Sequence, residues 1–422
     1  MGSYVPTAFH LHIASEVDIR QWRKWDDTTL CTFFHEYIHF LQDIMTGYGL
    51  SNFFVNGEYL AWAANHLYTS PKGTFKTPLM PPADINNMVY VNKILSKFTE
   101  AAGTPPAKNY NLNVIGKAKI TPQEIIVDGQ KLDVPIIEIP SDAGVFRFGG
   151  YHILESMAYL AEEVLYPEAH EPSPNYPYDI VSQLSKFYIP EVKDRKKLLF
   201  GLCNIALMFS HPAKALVEMF ETISSAPTLA DDYHDIVLHF ANAYMTKSMI
   251  TGQSISMSSA IQEHKQLVYR AYDNIFSTID YEPVRRWYHT IIDDATGWWS
   301  ANNLLLCNLL DFGELKHNQM FETFLKRFGL PMVSNSKNKT FVWDSPVKIK
   351  KEKLASLYAA NSIIETLQFG PGKCGLLYYC KADNVCVNKN CRIAPWKRAR
   401  RFFACPYGHL WFGRKLYSYE PE

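Results

Sequence analysis

The sequence lacks an excess of charge of either sign, because 42 Lys and Arg residues balance 42 Asp and Glu residues. No global field therefore attracts nucleic acid or an anionic membrane surface. The first residues contain neither the basic nor the apolar stretch of a secretory signal. No segment reaches the roughly 18 apolar residues of a membrane span. The sequence predicts a cytoplasmic protein without membrane association, and it argues against nucleic acid as a partner.

Internal repeats and low-complexity tracts are also missing. The chain is rich in apolar residues: 47% of its 422 residues are hydrophobic and 14% are aromatic. This composition excludes a disordered chain and predicts a folded protein with a sizeable core. The length is roughly two to three times that of a usual domain, which predicts one large catalytic unit with appended modules. The sequence does not indicate an oligomeric state.

The pattern of the chain changes near residue 190 and again near residue 346. Before the first change, extended segments alternate with helices, and residues 124–127 and 134–139 flank an Asp128-Gly129 turn as in a β-hairpin. The periodicity from 191 to 328 is mostly helical. We therefore predict an α+β fold with three regions: a catalytic region at 1–190, a helical extension at 191–345 and a small Cys-rich region at 346–422.

One segment carries the strongest chemical signal. Apolar residues recur at positions 30, 34, 38, 41 and 45, which predicts a core-facing helix that Asp27 or Thr28 could cap. On such a helix His35 and His39 lie one turn apart and project together, so that both imidazoles can bind one metal ion. Glu36 would lie beside them. This pattern is typical of zinc sites in which a carboxylate takes a proton from water.

The alternative is a helix whose histidines are solvated or merely hydrogen-bonded. Because the helix is apolar around most of its circumference, we expect it to be buried. A buried Glu36 beside two histidines costs several kcal/mol unless it is paired. Metal binding would supply that pairing, so the sequence favours a metal site.

The segment His35-Glu36-Tyr37-Ile38-His39 resembles the active-site helix of the zincin metallopeptidases. No Gly-x-x-His follows it, so the resemblance is to the gluzincin branch. In that branch a Glu on a second, downstream helix completes the zinc site. The segment at 149–163 resembles such a helix, with Glu155 as the third ligand. The resemblance implies a zincin-like catalytic region and peptide hydrolysis with Glu36 as the general base.

Glu162 and Glu163 are competing candidates for the third ligand. On one helix Glu155 and Glu162 share a face but lie about 10 Å apart along the axis, so only one can reach the metal. We prefer Glu155, because the small residues Ser156, Ala158 and Ala161 let the other helix approach closely. Glu162 is then a solvated residue or an outer partner of a ligating histidine.

The carboxy-terminal region contains a cluster of cysteines at positions 374, 380, 386, 391 and 405. Such a cluster in a cytoplasmic protein suggests a second, structural zinc ion, with Cys380, Cys386, Cys391 and Cys405 as candidate ligands. No Cys-x-x-Cys pair is present, so buried unligated thiols and disulfides stay open as alternatives. A basic run with aromatic neighbours at 396–403 could bind phosphate or an acidic protein, or could form a solvated face.

These patterns together predict a zinc metallopeptidase that acts on protein or peptide substrates. A first alternative is a zinc-knuckle module that binds protein or nucleic acid, with a secondary or structural role for the His35 site. A second alternative is a zincin fold that binds metal without cleaving. The presence of Glu36 argues against the second alternative, because a general base is needed for cleavage and has no structural role at the metal.

Overall fold

The protein was analysed as a computed structural model that describes residues 2–16, 18–83, 87–101, 103, 110–127, 130–169, 174–190, 195–225, 232–330, 332–337, 339–341, 347–382, 387–399 and 405–422. The fold is mixed α/β, 61% helical with small sheets, in agreement with the predicted α+β class.

The helices of the described residues vary from one turn to six. They are α1 (Asp27–Met45), α2 (Gly47–Thr69), α3 (Met88–Ala101), α4 (Gly150–Leu165), α5 (Asn175–Tyr178), α6 (Ile180–Ser185), α7 (Arg195–Ala206), α8 (Pro212–Ser225), α9 (Tyr233–Ala243), α10 (Met257–Ile275), α11 (Glu282–Ala301), α12 (Leu305–Asp311), α13 (Gln319–Phe328), α14 (Lys351–Phe369), α15 (Leu377–Ala382), α16 (Asn390–Ile393), α17 (Trp396–Ala399) and α18 (Pro406–Gly413). Short 3-10 helices are Ile19–Lys24, Ile279–Tyr281, Leu315–His317 and Leu416–Ser418.

The strands of the described residues are short, except for β4 and β5 in the first region. They are β1 (Gly2–Val5), β2 (His10–Ile13), β3 (Gly73–Phe75), β4 (Lys119–Val127), β5 (Gln130–Ser141), β6 (Gly144–Phe148), β7 (Met245–Lys247), β8 (Ser254–Ser256), β9 (Met332–Asn335), β10 (Thr340–Phe341) and β11 (Tyr419–Pro421).

The described residues form four small sheets, and two of these sheets join distant parts of the chain. The sheet β1-β2-β9-β10 pairs β2 in parallel with β9, and β3 pairs in parallel with β11. The other two are the antiparallel sheets β4-β5-β6 and β7-β8. The pairing of β4 with β5 confirms the predicted hairpin, while Asp128 and Gly129 lie outside the described residues.

Helix α1 forms where the apolar stripe predicted it. Its cap differs from the prediction, because the Asp26 side chain, not that of Asp27 or Thr28, accepts a hydrogen bond from the Thr29 N–H at 2.7 Å. Such a bond satisfies one of the N–H groups that the first turn leaves unpaired. Most of the α1 side chains are buried, and the helix packs against α2, α4 and α11. The helix is therefore held in place around most of its circumference.

Helix α4 follows directly on β6, the last strand of its sheet. Ser156, Ala158 and Ala161 are fully buried on this helix, which packs against α1. Small side chains allow close approach of two helix backbones. One buried apolar cluster contains side chains from residues 1–190, 191–345 and 346–422 alike. The proposed boundaries at 190 and 345 stay predictions.

The contact between α2 and α10 depends on a glycine. A Cβ atom at Gly57 would lie 2.6 Å from Cδ2 of Tyr272, whose buried ring is itself packed against Phe53. We expect Gly57→Ala to lower the free energy of unfolding by about 1–3 kcal/mol, because overpacking outweighs the better helix propensity of alanine. Denaturant unfolding of the two proteins measures this change.

The matched control is Gly297→Ala on α11, where a Cβ atom would meet nothing within 4 Å. This change is expected to stabilise the protein by up to about 1 kcal/mol, because alanine loses less backbone entropy. Equal effects of the two substitutions would show that the Gly57 contact is not tight.

Candidate metal centre

Two helices bring three donor atoms to one point. Helix α1 presents His35 and His39 with their ring centroids 4.9 Å apart, and α4 presents Glu155 between them. Oε2 of Glu155 lies 3.3 Å from Nε2 of His35 and 3.6 Å from Nε2 of His39. Each of the three side chains offers a donor atom within 4.8 Å of the others. Within the described residues this is the one group of three or more such donors.

The far nitrogen of each ring has its own partner. Nδ1 of His39 donates to Oε1 of Gln42 at 2.8 Å, and the Gln42 amide donates to the Leu154 carbonyl on α4 at 3.1 Å. Nδ1 of His35 lies 3.4 Å from Oε1 of Glu162. If its proton is held at Nδ1, each ring can offer the lone pair of Nε2 to a metal ion that lies between the rings and Glu155. This is the arrangement that outer partners impose on metal-ligating histidines.

The electrostatics of the three side chains also favour a bound cation. Burial alone lowers the pKa of His35, but hydrogen bonds to Glu155 and Glu162 outweigh it and raise the pKa well above its usual value. Burial likewise opposes the raised pKa of His39, which the charge of Glu155 produces. Burial raises the pKa of Glu155, yet both histidines hold it far below its usual range. The negative charges of Glu155 and Glu162 thus stabilise positive charge at this point, which either protons on the histidines or a bound metal ion can supply.

Glu36 lies on the same helix and is 7% exposed. Burial raises its pKa, and the charges of His35 and His39 oppose that rise. Strand β1 packs directly on it, because a Cβ atom at Gly2 would lie 2.7 Å from Oε1 of Glu36. A carboxylate with a raised pKa is a stronger proton acceptor than an ordinary one, which suits the role of a general base. Only a residue without a side chain fits at position 2 without displacing this carboxylate.

Two tyrosines that the sequence could not single out lie beside the three donors. The ring of Tyr178 meets that of His35 edge to face at 5.9 Å. Tyr151 stands one turn before Glu155 on α4, and burial, followed by the charges of Glu155 and Tyr178, raises its pKa. With 25 tyrosines in the chain, no local pattern distinguishes these two. Both are candidates to donate a hydrogen bond to a carbonyl oxygen at the site.

No family model, curated protein or solved structure matches the chain. The assignment of chemistry therefore depends on the residues and their geometry.

The remaining predicted site residues lie elsewhere. Glu163 points away from the histidines and pairs with Lys196 at 3.2 Å. Cys380, Cys391 and Cys405 are buried in the last region, whereas Cys386 lies outside the described residues.

The basic run at 396–401 is not a free cationic surface in its described part. Arg398 is buried, and Lys397 lies 3.5 Å from Glu420. Arg400 and Arg401 lie outside the described residues. None of the helices in the described ranges has both the length and the apolarity needed to cross a bilayer.

Gln42 was not singled out from sequence, and its role can be tested. We expect Gln42→Ala to weaken metal binding by roughly 10- to 100-fold, because Nδ1 of His39 loses the partner that orients its ring. Competition of the protein with a chromophoric chelator measures the affinity. Gln262→Ala, at an exposed position on α10, is the control and should leave the affinity unchanged. A wild-type affinity in the Gln42 variant would contradict this role.

Proposed function

We propose that the protein is a zinc-dependent metallopeptidase with a zincin-like catalytic region. The observation that carries this proposal is the convergence of His35, His39 and Glu155 on one point, with Glu36 next to the first histidine on the same helix. Two imidazoles and one carboxylate are a ligand set that catalytic zinc sites use, with the fourth position left open. The donor set therefore fits zinc by its chemistry.

The residues around the point where the three donors converge would have different roles in the reaction. A bound zinc ion would supply a Lewis acid that acidifies water and polarises a carbonyl group. Glu36 would accept the proton of the attacking water and pass it to the leaving amine. With a metal ion bound, Gln42 and Glu162 would hold the histidine protons at Nδ1, so that both Nε2 lone pairs could bind the metal. Tyr178 or Tyr151 would donate to the carbonyl oxygen as negative charge develops on it.

Access to the site is compatible with a peptide substrate. The ligand side chains of His35, His39 and Glu155 are 12%, 13% and 18% exposed, so they are neither sealed in the core nor open to bulk water. Partial exclusion of water strengthens the electrostatic interactions of a reacting group. The site thus combines a low-dielectric setting with partial exposure of its ligand side chains to solvent.

The test is cleavage of a peptide library by the purified protein, followed by mass spectrometry. Cleavage is expected with zinc present, its loss after treatment with a chelator, and its return on addition of zinc. Metal bound at His35 and His39 without any cleavage would favour the non-cleaving alternative. Cleavage that survives complete removal of metal would overturn the proposal.

A further inference from the structure

The last part of the chain carries a local excess of positive charge that the neutral total conceals. Between residues 366 and 419 the sequence contains ten Lys and Arg residues but a single acidic residue, Asp383. The rest of the chain therefore carries the balancing excess of acidic residues. A basic segment in a neutral protein attracts an anionic partner locally, whereas the molecule as a whole has no field to do so.

Three of these cations line one pocket at the surface. The pocket has a volume of about 350 Å³ and is lined by Lys373, Leu377, Tyr378, Lys381 and Arg392. All three cationic side chains are exposed. In the part of the chain that the structure describes, which does not include residue 383, no acidic side chain pairs with any of them. The pocket therefore presents positive charge without a described counter-charge.

The backbone brings the three cations to one place. The N–H of Cys374 donates to the Cys391 carbonyl at 2.9 Å. This bond joins two separate elements, and it holds the adjacent residues Lys373 and Arg392 at the same pocket. Lys381 reaches the pocket from the last turn of α15. The convergence of the cations is thus a property of the fold and does not depend on the flexible side chains alone.

The wall of the pocket is anchored to the rest of the protein. The ammonium group of Lys373 lies 4.8 Å from the ring centroid of Tyr378, a cation–π contact that keeps it at the pocket. The same ring stacks on that of His12 in β2, with the centroids 6.4 Å apart. The N–H of Gly375 donates to Oγ of Ser362 on α14 at 3.0 Å. Both a strand and a long helix therefore position the pocket.

The pocket and the metal centre lie on opposite sides of the sheet that contains β1 and β2. His12, which contacts Tyr378, is paired with Ser3 of β1, and paired residues of adjacent strands project to the same face. Tyr4, the next residue, projects to the other face, where its hydroxyl donates to Asp43 on α1 at 2.8 Å. The pocket is therefore not a subsite of the metal centre on α1.

The charge of the pocket selects among anions. Like charges that line one pocket repel one another unless an anion lies among them. A carboxylate carries one negative charge and a phosphate monoester about 1.5 to 2 at neutral pH, so two neighbouring phosphate groups are needed to balance three cations. The guanidinium fork of Arg392 matches two oxygens of one phosphate, and each lysine adds a point charge.

We propose that Lys373, Lys381 and Arg392 form a binding site for a ligand with two neighbouring phosphate groups. These phosphates belong either to a free molecule such as a nucleoside diphosphate or to a multiply phosphorylated lipid headgroup. The site does not depend on the metal centre or on peptide hydrolysis, so it stands or falls separately from the proposed function.

Calorimetric titration of the full-length protein with pyrophosphate tests the proposal. We expect one site per chain, with an affinity at least about 10-fold higher than for inorganic phosphate or for succinate, a dianion without phosphate. His35→Ala should bind pyrophosphate as the wild type does. No binding, an equal affinity for succinate, or loss of binding in His35→Ala, which would place the anion at the metal centre, would each overturn the proposal.

Single substitutions assign the contacts. Lys381→Ala and Arg392→Ala are each expected to lower the affinity for pyrophosphate by about 10-fold or more, because each removes a charge-assisted contact. Arg392→Lys should fall between Arg392→Ala and the wild type, since lysine keeps the charge but loses the fork. Lys326→Ala, at an exposed position on α13, is the matched control. An equal loss in Lys326→Ala and Lys381→Ala would overturn the site, because it would show attraction by overall charge alone.

Competition experiments distinguish the sources of the phosphates. Competition of ADP with pyrophosphate, without binding of the protein to vesicles, assigns a free ligand. Binding to phosphatidylcholine vesicles that contain phosphatidylinositol bisphosphate, reversed by pyrophosphate, assigns a lipid headgroup. A single-stranded oligonucleotide that binds more tightly than pyrophosphate, with a salt dependence showing many more phosphate contacts than the pocket has cations, would overturn the pocket in favour of an extended nucleic-acid surface.

Discussion

Replacement of Glu36 by Gln is expected to leave zinc bound and to reduce peptide hydrolysis by roughly a hundred- to ten-thousand-fold. Glutamine has nearly the same shape as glutamate, but its amide cannot accept the proton of the attacking water. His35, His39 and Glu155 keep their positions, because Glu36 contributes none of the three converging donor atoms. The initial rate of cleavage of the best library peptide, together with the zinc content of the same sample, measures both effects.

The control for this variant is Glu352→Gln, at an exposed position in the first turn of α14. It removes the same charge far from the metal centre and should keep full activity. Full turnover by a folded, zinc-loaded Glu36→Gln protein would contradict the role of Glu36 as general base. Loss of zinc from that variant would instead place Glu36 among the groups that hold the metal.

Replacement of Glu155 by Ala is expected to weaken zinc binding at the histidine site by more than about 100-fold, beyond the usual effect of losing an outer partner. The carboxylate of Glu155 is the one α4 donor in the group of three, and it opposes the effect of burial on the pKa of both rings, together with Glu162 at His35. Without it, two buried imidazoles would have to hold a divalent cation alone. Titration of the variant with zinc in the presence of a competing chelator measures the loss.

Two neighbouring carboxylates on α4 provide graded controls. Glu162→Ala removes the partner of His35 Nδ1 and should weaken binding by roughly 10- to 100-fold. Glu163→Ala removes only an ion pair with Lys196, whose side chain is largely exposed, and should leave binding unchanged. An effect of Glu162→Ala larger than that of Glu155→Ala would contradict the assignment of Glu155 as the third ligand.

Local sequence patterns were sufficient for the elements that carry the site. The apolar stripe of α1 depends only on the helical period of 3.6 residues, and the hairpin of β4 and β5 was indicated by two extended segments that flank a turn. The cap of α1 was misplaced by one residue, because Asp26, Asp27 and Thr28 are all good caps and only the backbone conformation selects one. Short strands such as β9 were not predicted, since their partners lie hundreds of residues away.

The sequence by itself determined the spacing of His35, Glu36 and His39, because one helical turn projects residues i and i+4 to the same side whatever surrounds the helix. It also singled out three glutamates on one helix as candidates for the third donor, with a ligand elsewhere in the chain left open. Only the tertiary structure decided among them, since the packing of α1 against α4 determines which carboxylate faces the imidazoles. Tertiary packing also placed the ring of Tyr178 and the backbone of Gly2 at the site. Contacts of this kind join residues that are distant in the chain, and no local periodicity encodes them.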